Sequence, residues 1–543
     1  MLGQMMSAPL LISGVLEHAA RYHPQAEIVS RQDDGSLHRY TYADAARRTR
    51  QLANALAAAG LQPGDRVATL AWNGFRHFEL YYAVPGAGFV CHTINPRLFP
   101  DQIRFIIDHA EDRLLFVEPM FLPLVEKVAP SLKAVPKIIV MADAVPATTL
   151  PDVVAYETFI AGHAETFEWP QLDENTASGL CYTSGTTGDP KGVLYTHRST
   201  LLHALSANMP DLFGFSGHDV IMPVVPMFHV NAWCIPYGAP LTGAKLVFPG
   251  ARLDGASVHD LIVGEGVTFT AGVPTVWLML LNHAEAAGLS LAPLQRVVIG
   301  GSACPESMMA RFAARGVRVL HAWGMTETSP LGAFAVLTPQ QETALSEQEQ
   351  LRYRLKQGRA PYGVEVRICD DAGTVLPWDG VSYGVLQVRG PWIAAGYFGL
   401  EDRSAFTGDG WFKTGDVATL TADGFMEIVD RTKDVIKSGG EWISSITLEN
   451  VAVGHPAVRE AAAIARTDTK WGERPRLIVA LKDGADLTPA EMRAWFDGKV
   501  AHWWIPDDVV IVEDLPHTAT GKLLKLELRN RYGAETLTEE QPL

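Results

Sequence analysis

The chain has 543 residues, 47% of them hydrophobic, which is ample for a core and too long for one compact domain. Its formal net charge of −16 argues against nonspecific nucleic-acid binding and against an anionic membrane surface. An anionic substrate would therefore have to be met by local positive charge. The opening Met1 to Ile12 lacks a basic n-region and a long apolar run, so no signal peptide is expected. No apolar run approaches about 18 residues, so no integral membrane segment is expected either. Thr41-Tyr42-Ala43-Asp44 reads as a capping box that opens a helix, and Gly60 as its stop. Pro63-Gly64-Asp65 is a turn, followed by a short buried strand from Val67 to Leu70. Ile138 to Met141 and Val297 to Ile299 are similar apolar runs, and Gly300-Gly301 then leads into a helix from about Pro305 to Ala314. This recurring strand–glycine–helix order predicts an α/β fold with layered subdomains and a largely parallel sheet.

From Val364 to Val388 the pattern shifts to shorter strands with Asp371-Ala372-Gly373 and Trp378-Asp379-Gly380 turns, which predicts a β-rich subdomain. A boundary falls near residue 433, in the charged stretch Val429 to Lys437 before Gly439-Gly440. Beyond it the expectation is a helix around Leu448 to Gly454, strands near Ala461 and Leu477, and a helix from Thr488 to about Val500. The result is a large N-terminal domain, residues 1–432, and a small mobile α+β C-terminal domain, residues 433–543. Five scattered cysteines form no C-x-x-C pair and read as buried small hydrophobes in a reducing, cytoplasmic setting.

Residues 182–192 read Tyr-Thr-Ser-Gly-Thr-Thr-Gly-Asp-Pro-Lys-Gly. Thr183, Ser184, Thr186 and Thr187 supply hydroxyl donors. Gly185, Gly188 and Gly192 let backbone N–H groups approach an anion, and Lys191 adds a cation. Together they suit a triphosphate. The stretch is not a Walker A loop: counting from Gly185, Pro190 replaces the second glycine and Gly192 the Ser/Thr that would ligate Mg²⁺. The alternative is a polar surface loop.

Further segments follow in order. They are Pro226-Met227-Phe228-His229, Gly300-Gly301-Ser302-Ala303, Trp323-Gly324-Met325-Thr326-Glu327, Gly410 to Asp416, Asp430-Arg431-Thr432-Lys433-Asp434 and Thr520-Gly521-Lys522. With the phosphate loop they resemble the adenylate-forming superfamily of acyl-CoA synthetases, firefly-type luciferases and nonribosomal peptide adenylation domains. The likeness runs through nearly the whole chain. The opening Met-Leu-Gly-Gln-Met-Met, Cys91 to Leu98 and Met222 to Trp233 resemble most the branch of bacterial medium-chain fatty-acid–CoA ligases and 3-methylmercaptopropionate–CoA ligases.

The resemblance implies an acid–thiol ligase acting in two halves. A carboxylate attacks the ATP α-phosphorus to give acyl-adenylate and pyrophosphate, and the CoA thiol then attacks the adenylate carbonyl to give thioester and AMP. Lys522 would bridge the carboxylate and the α-phosphate, where accumulating negative charge needs a cation; on its own it would pass for a surface lysine. Glu327 would hold Mg²⁺ together with Thr186, a hard cation taking oxygen ligands; a helix-start acid is the local alternative. Nucleotide contacts fall to Thr183, Ser184, Gly185, Thr186, Thr187, Lys191, Gly301, Ser302, Ala303, Trp323, Gly324, Thr326, Asp416 and Arg431. Trp323 stands where most of the superfamily carries Tyr, so it either lies against adenine or packs in the core. Asp416 would accept bonds from both ribose hydroxyls. His229 would sit between the acyl pocket and the CoA channel, or else pack in the core as lone histidines often do. Lys433 takes the hinge position; Lys437, Gly439, Gly440, Trp442 and Arg474 would line the CoA tunnel. Lys525 reads as simple surface charge.

The acyl pocket would be lined by Trp233, Val273, Gly301, Trp323, Pro330 and Leu331, with no cation or carboxylate among them. That favours a short-to-medium apolar acid over an amino acid, whose ammonium would need a partner. ATP, Mg²⁺ and CoA are the expected cofactor and co-substrates, and a homodimer the expected assembly. Other readings are an aryl acid, an acceptor other than CoA, or a non-catalytic lipid-binding relative, which would be expected to lack Lys522 or Glu327.

Overall fold

The computed structural model describes residues 1, 3–183, 189–439, 441–517 and 523–534. They fall into two compact units: Met1–Thr183, Asp189–Glu365 and Val388–Phe412 form the first, and Val366–Gln387 with the chain from Lys413 onward forms the second.

The first unit carries two sheets. In the eight-stranded sheet, the strands Arg318–Gly324, Arg296–Ile299, Phe269–Gly272, Val220–Pro223, Lys245–Phe248 and Glu27–Arg31 lie side by side and parallel. Antiparallel strands Leu331–Phe334 and Leu37–Thr41 close its two edges. The seven-stranded sheet is parallel from Val154–Ala155 to Ala177–Tyr182 and ends in the antiparallel strand Gly192–Thr196. Inner parallel strands are buried on both faces and should read as continuous apolar runs. Leu114–Val117, Leu-Leu-Phe-Val, is buried at every position. The capping box forms as expected: the Asp44 N–H donates to Thr41 Oγ1 at 3.2 Å and the Thr41 N–H to Asp44 Oδ2 at 3.1 Å. The helix runs Tyr42–Ala58, with Gly60 at φ +82° just beyond it. Leu52, Phe78, Tyr81, Tyr82, Tyr237, Phe248 and Phe269 share one core cluster. Fully burying one such aromatic contributes about 1.5–3 kcal/mol. Buried polar tips need partners, and the Tyr82 hydroxyl donates to the Pro236 carbonyl at 2.7 Å and the Tyr81 hydroxyl to the Met227 carbonyl.

The second unit carries a four-stranded sheet in chain order, Glu365–Cys369, Tyr383–Arg389, Phe412–Leu420 and Met426–Arg431. It also carries a five-stranded sheet built on the long antiparallel pair Val458–Asp468 and Gly472–Leu481. Strand alternation sorts that pair onto two cores. Ala461, Ala463, Leu477 and Val479 pack with Leu448 and Met492, whereas Ala462, Ile464, Ile478 and Ala480 pack with Leu528. The expected helix ending near Val500 stops earlier. It spans Pro489–Trp495, capped by Thr488 and Glu491, and the chain turns at Gly498 with φ +72°. The helix expected around Leu448 to Gly454 spans Ser445–Val453, with the Ser444 hydroxyl accepting from the Thr447 N–H.

Lys525 is not surface charge. Its side chain is only 11% exposed, its ammonium lies 2.6 Å from Glu449 Oε1, and it donates to Ser445 Oγ at 2.7 Å. The partners come from a helix distant in the chain, so neighbouring residues give no hint of the pairing. All five cysteines are free and buried, as expected of small hydrophobes.

Candidate active site

The Thr/Ser/Gly stretch joins the strands of a first-unit edge hairpin, Ala177–Tyr182 and Gly192–Thr196. Ser184, Gly185, Thr186, Thr187 and Gly188 lie outside the described residues. The ends of the loop are tied: the Thr183 N–H donates to the Lys191 carbonyl at 2.9 Å, and the Lys191 N–H donates to Thr183 Oγ1 at 3.2 Å. A Cβ at Gly192 would stand 3.1 Å from Leu180 and Tyr182 and 3.2 Å from Phe398, a tight fit that favours glycine there.

Thr326–Thr328 is a single 3₁₀ turn at the end of strand Arg318–Gly324. It is too short for a macrodipole to explain the acid. Glu327 is buried, and one oxygen accepts the Tyr397 hydroxyl at 2.8 Å. From the other side the Tyr195 hydroxyl donates to the Thr326 carbonyl at 2.7 Å. Trp323 lies over Gly332, where any side chain would overlap the indole, and a Cβ on Gly324 would overlap the Pro330 carbonyl. Gly301, Ser302 and Ala303 are exposed and follow the neighbouring parallel strand Arg296–Ile299, with Gly301 at φ +81°. The carboxyl ends of parallel strands are where open α/β sheets bind ligands.

The residues expected around an acyl chain converge on those same strand ends. A Cβ on Gly300 would stand 3.1 Å from the Trp233 indole, and one on Gly301 would stand 3.3 Å from Val273. Trp233 and Leu331 belong to one core cluster, and Cys234 Sγ lies 3.5 Å from the Ser329 carbonyl beside Pro330. Trp233 is held in an unusual backbone. Val230, Asn231, Ala232, Trp233 and Cys234 all have positive φ, between 45° and 60°. Left-handed conformation costs roughly 1–2 kcal/mol per non-glycine residue, so neighbours must hold it. Asn231 Oδ1 lies 3.6 Å from Cys181 Sγ. Just upstream, Asn73 accepts the Met227 N–H at 2.6 Å and donates to the Pro223 and Val225 carbonyls at 2.8 and 2.9 Å. Sequence reasoning missed Asn73, Tyr195 and Tyr397, and none has a local signal. His229 is exposed, which disfavours the packed-core alternative.

In the second unit, Asp416 and Arg431 are cross-strand partners. Arg431 Nε lies 2.6 Å from Asp416 Oδ1, and Asp416 is 1% exposed. Thr414 Oγ1 accepts the Asp416 N–H at 3.0 Å. Lys433 is exposed, next to Thr432, whose N–H and hydroxyl both reach the Gly415 carbonyl. Lys437 Nζ pairs with Asp371 at 3.2 Å and stands 5.0 Å from the Trp442 ring. A side chain on Gly439 would meet Trp471 at 2.8 Å. Arg474 is engaged inside the unit: it grips Asp507 at 2.8 and 2.9 Å and donates to the Trp503 carbonyl at 2.7 Å. The Asp507 bond holds its pKa above the usual value. Gly440 and Lys522 lie outside the described residues.

Parallel strand ends carrying a buried acid and closely packed apolar residues are an arrangement that suits an adenylate-forming acid–thiol ligase, and likeness to known proteins gives that class. The chain belongs to the AMP-binding enzyme family: the model for the AMP-binding enzyme matches residues 16–398, and that for its C-terminal domain matches 447–522. It is 53% identical over 538 residues to a 3-methylmercaptopropionyl-CoA ligase of Ruegeria lacuscaerulensis, covering 98% of this chain and 99% of that one. It is 51% identical over 537 residues to a medium-chain-fatty-acid–CoA ligase of Ectopseudomonas oleovorans, covering 98% of each. Its fold is similar to that of the anthranilate CoA ligase AuaEII in complex with anthranoyl-AMP, with TM-score 0.83 at 24% identity over 97% of this chain and 98% of that one. Among the described residues no helix is long and apolar enough to cross a membrane.

Proposed function

We propose that the protein activates an unbranched short-to-medium carboxylic acid, 3-methylmercaptopropionate or a butyrate-to-octanoate chain, as its adenylate and transfers it to CoA. The observation that carries the reading is that Trp233 and Val273, both apolar, pack against Gly300 and Gly301 at the strand ends. Apolar walls suit an uncharged tail, which strands no ion among them. The names of the two relatives fall within this range of acids.

In this proposal Thr183 to Thr187 and Lys191 hold the triphosphate, and Gly301 to Ala303, Trp323, Gly324 and Thr326 face the adenosine and α-phosphate. Asp416 takes the ribose hydroxyls with Arg431 beside it. Lys522 bridges the two anions in the first half-reaction, and His229 positions the acid near the CoA channel. Lys437, Gly439, Gly440, Trp442 and Arg474 belong to the CoA side, with Arg474 shaping the wall through Asp507. Lys433 is the hinge at which residues 433–543 turn between half-reactions. Mg²⁺ fits Glu327, a buried carboxylate held by a neutral donor, since this ion takes one or two carboxylates plus phosphate oxygens. Bound there, it would neutralise charge on the triphosphate. Buried free thiols support a reducing cytoplasm, and the proposal includes a homodimer.

The test is AMP release over a panel of short, medium and long acids, with and without CoA. CoA-dependent turnover peaking between four and eight carbons or on the thioether acid is expected. A maximum on palmitate or on benzoate would overturn the substrate assignment.

A further inference from the structure

Tyr397 stands between two charge-handling groups of the first unit. Backbone bonds fix its segment at both ends: the Ala394 N–H donates to the Glu327 carbonyl and the Phe398 N–H to the Gly192 carbonyl, each at 2.8 Å. One bond reaches the Thr326–Thr328 turn, and the other reaches the residue after Lys191. The side chain spans the same interval. Its hydroxyl donates to Glu327 Oε1 at 2.8 Å, and Lys191 Nζ stands 4.9 Å from its ring centroid. Tyr397 also packs against Cys181, Val193 and Tyr195, the strands of the phosphate-loop hairpin.

We propose that Tyr397 is a positioning residue for nucleotide activation, holding the Glu327 carboxylate and the Lys191 ammonium in register so that both meet the same triphosphate. This rests on the roles given to Glu327 and Lys191 above. The chemistry suits the task. A neutral hydroxyl fixes a carboxylate without cancelling its charge, whereas an arginine at this place would neutralise the group that is to meet a cation. An aromatic face likewise attracts an ammonium without taking its charge. Burial, and then the Glu327 charge, push the Tyr397 hydroxyl above the ordinary tyrosine range, so it remains a donor.

Three full-length variants test this: Tyr397→Phe, Tyr397→Leu and Glu327→Gln. For each, the affinity for MgATP is read by calorimetry, the Mg²⁺ dependence of pyrophosphate exchange is titrated, and thioester formation from supplied acyl-adenylate is the control. Tyr397→Phe keeps the ring and its packing and loses one bond to a charged group. It should weaken MgATP binding about tenfold or more and raise the Mg²⁺ requirement, with thioester formation unchanged. Tyr397→Leu loses the ring face as well and should cost about threefold more. Parental MgATP affinity and Mg²⁺ dependence in Tyr397→Phe would overturn the proposal. So would equal loss in both half-reactions, which marks a role in stability alone; a thermal melt checks that the variants fold. If Glu327→Gln weakens MgATP binding and Tyr397→Phe does not, only the Tyr397 proposal falls. If Glu327→Gln also binds MgATP normally, the reading beneath it falls too.

Discussion

The two units fix their candidate site residues by different means. In the first, the groups ride on the ends of parallel strands and are locked by contact: Gly324 against Pro330, Gly332 under Trp323, Glu327 tied to Tyr397. In the second, ion pairs inside the unit hold the groups: Lys525 with Glu449, Arg474 with Asp507, Arg431 with Asp416 and Lys437 with Asp371. The contrast fits a division of labour. A preorganised site stabilises charge best when its dipoles cannot relax. In the proposed function, residues 433–543 present different groups in different steps, so that part must be rigid within itself and loose at its start.

The strongest attack on that contrast is Lys522→Ala. If the lysine serves one step only, adenylation should fall on the order of 10²–10³-fold while thioester formation from supplied acyl-adenylate persists. Parallel loss in both assays would refute the division. Lys433→Pro should show the mirror image if Lys433 is the hinge as proposed, since proline fixes φ and removes an N–H there. Thioester formation should fail while pyrophosphate exchange survives.

Next in size is the internal rigidity of the second unit. Lys525→Ala leaves Glu449 buried without its ammonium, and breaking such a pair costs about 3–5 kcal/mol. Chemical denaturation should show the second unit losing that stability. A loss below about 1 kcal/mol would mean that the pair behaves like an exposed one.

The first unit should respond instead to acid. His77, His197, His203 and His321 are buried, and burial lowers their pKa to about 4, 4, 3 and 4. The unfolded chain protonates its histidines near pH 6.5, so between there and about pH 4 it binds more protons than the folded one. Stability is thus complete above pH 6.5 and is lost as pH falls. At pH 5 one such histidine should cost about 2 kcal/mol. His203 Nε2 accepts the Leu331 N–H at 3.0 Å, a bond only the neutral ring can make. In His203→Gln the loss between pH 7 and pH 5 should be smaller by about that amount. An identical pH slope in the variant would show that His203 is not among the groups responsible.

What could be read in the chain beforehand was what is local. The Thr41–Asp44 box and the Gly60 stop are set within a few residues, and so is the turn around Gly301. Asp416 and Arg431 could be singled out one by one, but their ion pair depends on strand register, which no single motif carries. Lys525 was misread because its burial depends on Glu449, far along the chain. The left-handed run from Val230 to Cys234 contains no glycine to announce it. Asn73 and Tyr195 act through partners that only folding brings near.

The smallest effect concerns the proposed acyl pocket, and it tests whether rigidity there sets chain length. Trp233 lies against Gly300 and is pinned by a strained backbone, so it should not swing aside at low cost. Trp233→Ala would open volume that longer acids could fill, at about 0.8 kcal/mol for each further buried CH₂. That is a factor of about four in kcat/KM per methylene, distributed as a shift of the optimum. The measurement is kcat/KM over an even-numbered acid series in parent and variant. A uniform fall with the optimum unmoved would mean that Trp233 braces the site without forming its floor. A shift toward longer acids, with adenylation of the shortest ones weakened, would tie substrate choice to the close contact of Trp233 with Gly300.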